Sequence, residues 1–133
     1  MNRKIIYFII FALIIGISVW SCNTNKHIDF STIKADDTIK VVLKDTISIE
    51  LVSNPSTGYK WKYTENESEK NIVFLENNYT APEGNKIGAA GKQVFTFLAK
   101  KKGMTVIELK YARGNGEPAE THTVIVDVVK SLD

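Results

Sequence analysis

Beyond residue 36 the chain alternates between apolar and polar positions. In TISIELV (46–52), Ile47, Ile49 and Leu51 are separated by Ser48 and Glu50. A period of two puts every second side chain on one face of a strand. QVFTFLA (93–99), TVIELKY (105–111) and THTVIVDVV (121–129) repeat the pattern, and YKWKY (59–63) alternates aromatics with lysines. TIKVVL (38–43) and a short run at 72–75 complete the set. Seven to eight short strands with frequent turns predict an all-β antiparallel sandwich. Alternation points Ile47, Ile49, Leu51, Phe95, Phe97, Ile107, Leu109, Tyr111, Val124, Val126 and Val128 inward.

The connections divide into two kinds. Lys44-Asp45 and KKKG (100–103) are short and read as hairpin turns. Residues 53–58, 80–92 and 112–120 are irregular and rich in glycine, proline and small polar residues. They follow the second, fourth and sixth predicted strands. Loops after alternate strands of a sandwich emerge at a shared end, the geometry by which antibody variable domains bind partners.

The first 21 residues read differently. Arg3 and Lys4 precede the apolar run 5–17, which is short for a membrane span and typical of an export signal. SVWSC then ends at Cys22, the chain's only cysteine. Small Ser21 before that cysteine resembles the lipobox of bacterial lipoproteins, although Val19 and Trp20 are unusual there. The resemblance implies a signal peptide over 1–21, lipidation of Cys22 and anchorage of the domain to a bacterial membrane, facing the periplasm or exterior. Residues 22–35 are polar and read as a tether, and 36–133 as the folded domain.

Charge and cysteine content narrow the function. Removal of residues 1–21 lowers the basic count from 17 to 15, against 15 acids, so the mature chain is near neutral. Nucleic-acid binding needs a clustered basic face, and Lys100, Lys101 and Lys102 read as a solvated turn. With no cysteine after Cys22, the domain has no disulfide, thiol nucleophile or thiolate metal site. His27 and His122 lack companion ligands, and Ser56 lacks a nucleophile-elbow context. Neither an enzyme nor a cofactor or metal site is expected.

NPSTGYKW (54–61) resembles the NPTTG-aromatic-x-W segment of the chagasin-like inhibitors of papain-family cysteine proteases. GAAG (88–91) falls where that family has its glycine-rich second loop, and YAR (111–113) where it has an aromatic, a spacer and Arg-Pro-aromatic. The three motifs keep the family's order and spacing over about 38–129. The resemblance implies an immunoglobulin-like sandwich acting as a monomer, whose three loops reversibly occlude the protease cleft. It assigns Asn54, Pro55, Ser56, Thr57, Gly58 and Tyr59 to the central loop, Gly88, Ala89, Ala90 and Gly91 to the second, and Arg113 to the third. Pro55 fixes its own φ and biases Asn54 toward extended geometry, which lowers the entropy lost on docking. The hydroxyls of Ser56 and Thr57 would face the surroundings of the enzyme's nucleophile.

The third loop departs from the family. Arg113 is followed by Gly114 and Asn115 in place of Pro-aromatic. A missing aromatic anchor costs about 2 kcal/mol or more of binding, or changes which protease is preferred. The alternative that this departure favours is a membrane-anchored immunoglobulin-like binding module contacting another protein or a glycan.

Overall fold

The computed structural model describes residues 25–29 (backbone), 38–65, 71–85 and 88–132. Residues 1–21, expected as a signal peptide, and Cys22 lie outside the described residues. Among the described residues, eight strands form two four-stranded sheets. One has the order β1 (Asn25–Asp29), β3 (Thr46–Ser53), β6 (Gly91–Ala99), β5 (Ile72–Thr80). The other has the order β2 (Thr38–Val42), β8 (Glu120–Val129), β7 (Gly103–Arg113), β4 (Tyr59–Tyr63).

The sandwich follows from the alternation. Ten of the eleven side chains expected inward are buried, and Tyr111 is half-buried against them. Trp61 joins this core, as its place on an aromatic-lysine strand suggests, and so do Val41 and Ile72. Burying an aliphatic or aromatic side chain contributes about 1.5–3 kcal/mol, which allows a domain of this size to fold without disulfides.

Four expectations need correction. Lys44-Asp45 does not close a hairpin: β2 pairs with β8 and β3 with β6, so the turn crosses from one sheet to the other. Lys44 has φ +77°, and its N–H donates to the Ala99 carbonyl at 2.8 Å. The 100–103 turn crosses sheets likewise, because β6 and β7 belong to different sheets. A period of two shows which side chains point inward but not which sheet a strand joins. The sandwich is otherwise mainly antiparallel as expected, with four antiparallel pairings and two parallel ones at the edges, β1 with β3 and β2 with β8.

Third, the stretch expected as a tether contains β1, which pairs residue for residue with the first half of β3. Such pairing uses main-chain groups, so it needs no apolar pattern. Fourth, β5 does not stop at Leu75. A bulge at Leu75 breaks the register between Phe74 and Glu76, and the strand continues to Thr80. One extra residue reverses the phase of the strand. Ile72 and Phe74 lie opposite Ala99 and Phe97 before it, and Asn77 and Tyr79 lie opposite Phe95 and Gln93 after it.

Candidate functional site

Strand register places the three irregular loops at one end. Ser53 lies opposite Gly91, Lys92 opposite Thr80, Tyr59 opposite Arg113, and Tyr111 opposite Glu120. Loop 1 (54–58) crosses from β3 in one sheet to β4 in the other. Loop 2 (81–90) joins β5 to β6 within the first sheet, and loop 3 (114–119) joins β7 to β8 within the second. The crossover is therefore central, with one hairpin loop on each side.

Loop 1 is shaped by its own residues. Pro55–Thr57 form a single 3-10 turn with Pro at its start, where a missing N–H costs nothing and φ is already correct. Gly58 follows at φ +81° and donates its N–H to the Pro55 carbonyl at 3.0 Å. Thr57 Oγ1 donates to the Asn54 carbonyl at 2.7 Å, and the Thr57 N–H donates to the same oxygen at 3.1 Å. Ser56 Oγ donates to Asn54 Oδ1. Both hydroxyls expected to face a protease thus bond within the loop, while the residues themselves remain exposed.

Two contacts tie the loops together. Asn54 Nδ2 donates to the Gly88 carbonyl at 2.9 Å, joining loop 1 to loop 2. Between those loops lies a notch of about 240 Å3, walled by Pro55, Tyr79, Pro82 and Ala89. On the other side Arg113 extends across Gly58, where an added Cβ would lie 2.9 Å from its Nε. Lys62 Nζ donates to the Gly114 carbonyl in loop 3. Loop 3 itself is held by main-chain bonds, Gly116 N–H to Arg113 C=O at 3.0 Å and Ala119 N–H to Tyr111 C=O at 2.9 Å.

Below the loops is a polar layer that sequence reasoning missed. Gln93 is buried, with 6% of its surface exposed. Its Oε1 accepts from Ser53 Oγ at 3.0 Å and from the Trp61 N–H at 3.2 Å. Its Nε2 donates to the Trp61 carbonyl at 2.9 Å and to Asn77 Oδ1 at 3.1 Å. One amide therefore bolts β6 of one sheet to β4 of the other at the root of loop 1. Trp61 Nε1 donates to the Val52 carbonyl at 2.8 Å, and the Trp61 ring packs on Tyr111, which stacks on Tyr59 at 5.4 Å. The Tyr111 hydroxyl accepts from the Asn54 N–H at 3.3 Å. The available signal was a glutamine on the same face as Phe95 and Phe97.

Most sequence-assigned residues come together here. Asn54, Pro55, Ser56, Thr57, Gly58, Gly88, Ala89 and Ala90 all lie in the loops, exposed or half-exposed. Tyr59 begins β4, and Arg113 is the last residue of β7 rather than a loop residue. Gly91 is in β6 and buried, so it has no surface for a partner. A Cβ there would lie 2.3 Å from the Thr80 carbonyl and 2.6 Å from the Tyr79 hydroxyl. Its glycine lets β5 and the Tyr79 ring close over the base of loop 2.

Residues 40–128 match the family described as Chagasin family peptidase inhibitor I42. The chain belongs to that family. Chagasin of Trypanosoma cruzi is 30% identical over 93 residues, covering 65% of this chain and 84% of chagasin. Among solved structures, the cysteine protease inhibitor EhICP2 from Entamoeba histolytica superposes with a TM-score of 0.66 at 23% identity, covering 79% of this chain and 96% of that one. Amebosin gives 0.63 at 24% identity, covering 80% and 99%. PbICP-C, solved in complex with falcipain-2, gives 0.54 at 17% identity, covering 77% and 97%. These likenesses show a shared fold. Family membership makes this chagasin-family domain a peptidase inhibitor and not an enzyme.

Proposed function

We propose that this domain is a reversible, competitive inhibitor of papain-like cysteine proteases, acting as a monomer and anchored to a bacterial membrane through lipid on Cys22. Loop 1 enters the cleft between the enzyme's catalytic residues, and loops 2 and 3 lie on its walls. The observation that carries this reading is the convergence of three loops on one end, with the self-bonded loop in the middle. A loop already held in shape loses little freedom on docking, which lowers the cost of association. Chagasin and the falcipain-bound PbICP-C support the choice of partner class.

The roles divide by loop. Pro55, Ser56, Thr57 and Gly58 form the inserted surface. Asn54 sets its angle through Gly88, and Gly88, Ala89 and Ala90 offer small side chains that let backbone approach the enzyme. Arg113 contacts the opposite wall, with Tyr59 behind it. Titration of papain with the protein lacking residues 1–21 tests the reading. Inhibition is expected at or below about 1 µM, equivalent to about −8 kcal/mol or tighter. No inhibition of papain or of several cathepsin-like enzymes at micromolar concentration would exclude it, in favour of a binding module for another protein or a glycan.

A further inference from the structure

β1 runs parallel to β3, with Asn25 opposite Thr46 and Asp29 opposite Glu50. β3 runs toward loop 1, so β1 begins at the far pole of the sandwich. Cys22 is three residues before Asn25, a reach of at most about 10 Å. An anchor at the N-terminus therefore holds this pole, and not the loops, beside the membrane. β3, with eight residues, separates the two poles by about 25 Å.

Three connections meet at the far pole. The Leu43 N–H donates to the Val129 carbonyl at 2.9 Å, the Lys44 N–H to the Ala99 carbonyl at 2.8 Å, and the Ala99 N–H to the Asp45 carbonyl at 2.9 Å. The Lys100 and Lys101 N–H groups both donate to the Asn71 carbonyl. These bonds gather Lys44, Lys100, Lys101, Lys102 and Lys130 at one end. All five are exposed.

We infer that this lysine-bearing pole is a lipid-facing surface that rests on anionic headgroups and points the three loops away from the membrane. The inference rests on the anchored form of the proposed function. Acids share the pole: Asp45 lies on the same turn, and Glu65 opens the connection whose sequence continues with Glu67 and Glu69. The anchor therefore supplies the attachment, and the lysines select the face that leans on it. The Debye length near physiological salt is about 8 Å. The anchor's short reach brings the far-pole lysines near that distance of an anionic surface, where such residues are attracted. Lys60 and Arg113, at the loop end, stay several Debye lengths away.

The test uses the full chain reconstituted in vesicles of phosphatidylcholine with one-third phosphatidylglycerol, and in detergent as reference. Lysine acylation is read residue by residue by mass spectrometry. Lys100, Lys101 and Lys102 are expected to react at least threefold more slowly on vesicles, with Lys60 unchanged, and added papain should be inhibited at the same titre in both forms. Equal protection of Lys60, or loss of inhibition on vesicles, overturns the orientation. Protection just as large on phosphatidylcholine alone overturns the contact with anionic headgroups. The mass of the N-terminal peptide from the expressing bacterium reads the anchor separately. An unmodified Cys22 overturns the lipid alone, because the apolar run 5–17 still tethers the full chain from the same end and the acylation pattern still decides the orientation.

Discussion

Loops 1 and 3 lie side by side but are held in different ways. In loop 1 the side chains of Asn54, Ser56 and Thr57 bond to one another or to loop backbone, and Pro55 fixes a φ angle. Loop 3 has Gly114 and Gly116, no aromatic residue, and two main-chain bonds with a lysine from β4 at its edge. The first has its shape before any partner arrives. The second is held mainly through its backbone, with no side chain of its own bonding within the loop. In this chain loop 1 is shaped by its side chains, and loop 3 by its main chain.

The largest test of that contrast removes the preformed shape. Replacing Thr57→Ala and Gly58→Val together deletes the bond to the Asn54 carbonyl and puts a branched side chain at φ +81°, against Arg113. Inhibition of papain should weaken by about a hundredfold or more, the scale of a lost hot spot. A change no larger than that of the Lys101→Ala, Lys102→Ala pair would refute the assignment of loop 1 as the central element.

Next is the floor beneath loop 1. Gln93→Ala strands the Trp61 N–H and carbonyl and the Ser53 hydroxyl, and leaves the exposed Asn77 amide to water. Buried groups left without partners cost about 1–3 kcal/mol each, and relaxation and entering water reduce their sum. A loss of about 3 kcal/mol is expected in urea unfolding, with inhibition weakened at temperatures where the protein stays folded. A loss below about 1 kcal/mol would mean that the two sheets do not depend on this amide.

A smaller effect of opposite sign belongs to loop 3. The single change Asn115→Trp supplies an aromatic two residues after Arg113 and keeps Gly114, whose φ of +55° proline cannot adopt. Papain should then be inhibited about tenfold more tightly, equal to about 1.4 kcal/mol. No gain would show that loop 3 does not reach the wall of this enzyme. The smallest effect is that of the lysine pair itself. Lys101→Ala with Lys102→Ala should change inhibition less than twofold, since both lie at the opposite pole.

Much of this architecture was legible from alternation. The inward positions of β3, β6, β7 and β8 follow the two-residue period, and the three loop motifs mark the end that carries them. Partnership between strands was not legible. Lys44-Asp45 is as short as a hairpin turn, yet it changes sheets through a residue at positive φ. β5 looks short because the bulge at Leu75 resets its phase, so Asn77 and Tyr79 do not continue the pattern of Ile72 and Phe74. At two kinds of position the structure adds a role that the motif does not show. Gly91 serves packing rather than contact, and the hydroxyls of Ser56 and Thr57 support the turn that displays them.

β1 also bears on how the protein behaves once cut or shortened. It covers the outer side of β3, a strand with Ile47, Ile49 and Leu51 along one face. An uncovered strand of that kind offers its open hydrogen-bonding groups to any similar chain. A fragment starting at residue 36 should therefore self-associate with rising concentration in size-exclusion chromatography, while one starting at residue 23 stays monodisperse. Five residues that look like slack, four of them polar, would then be what keeps a shed or clipped inhibitor from aggregating.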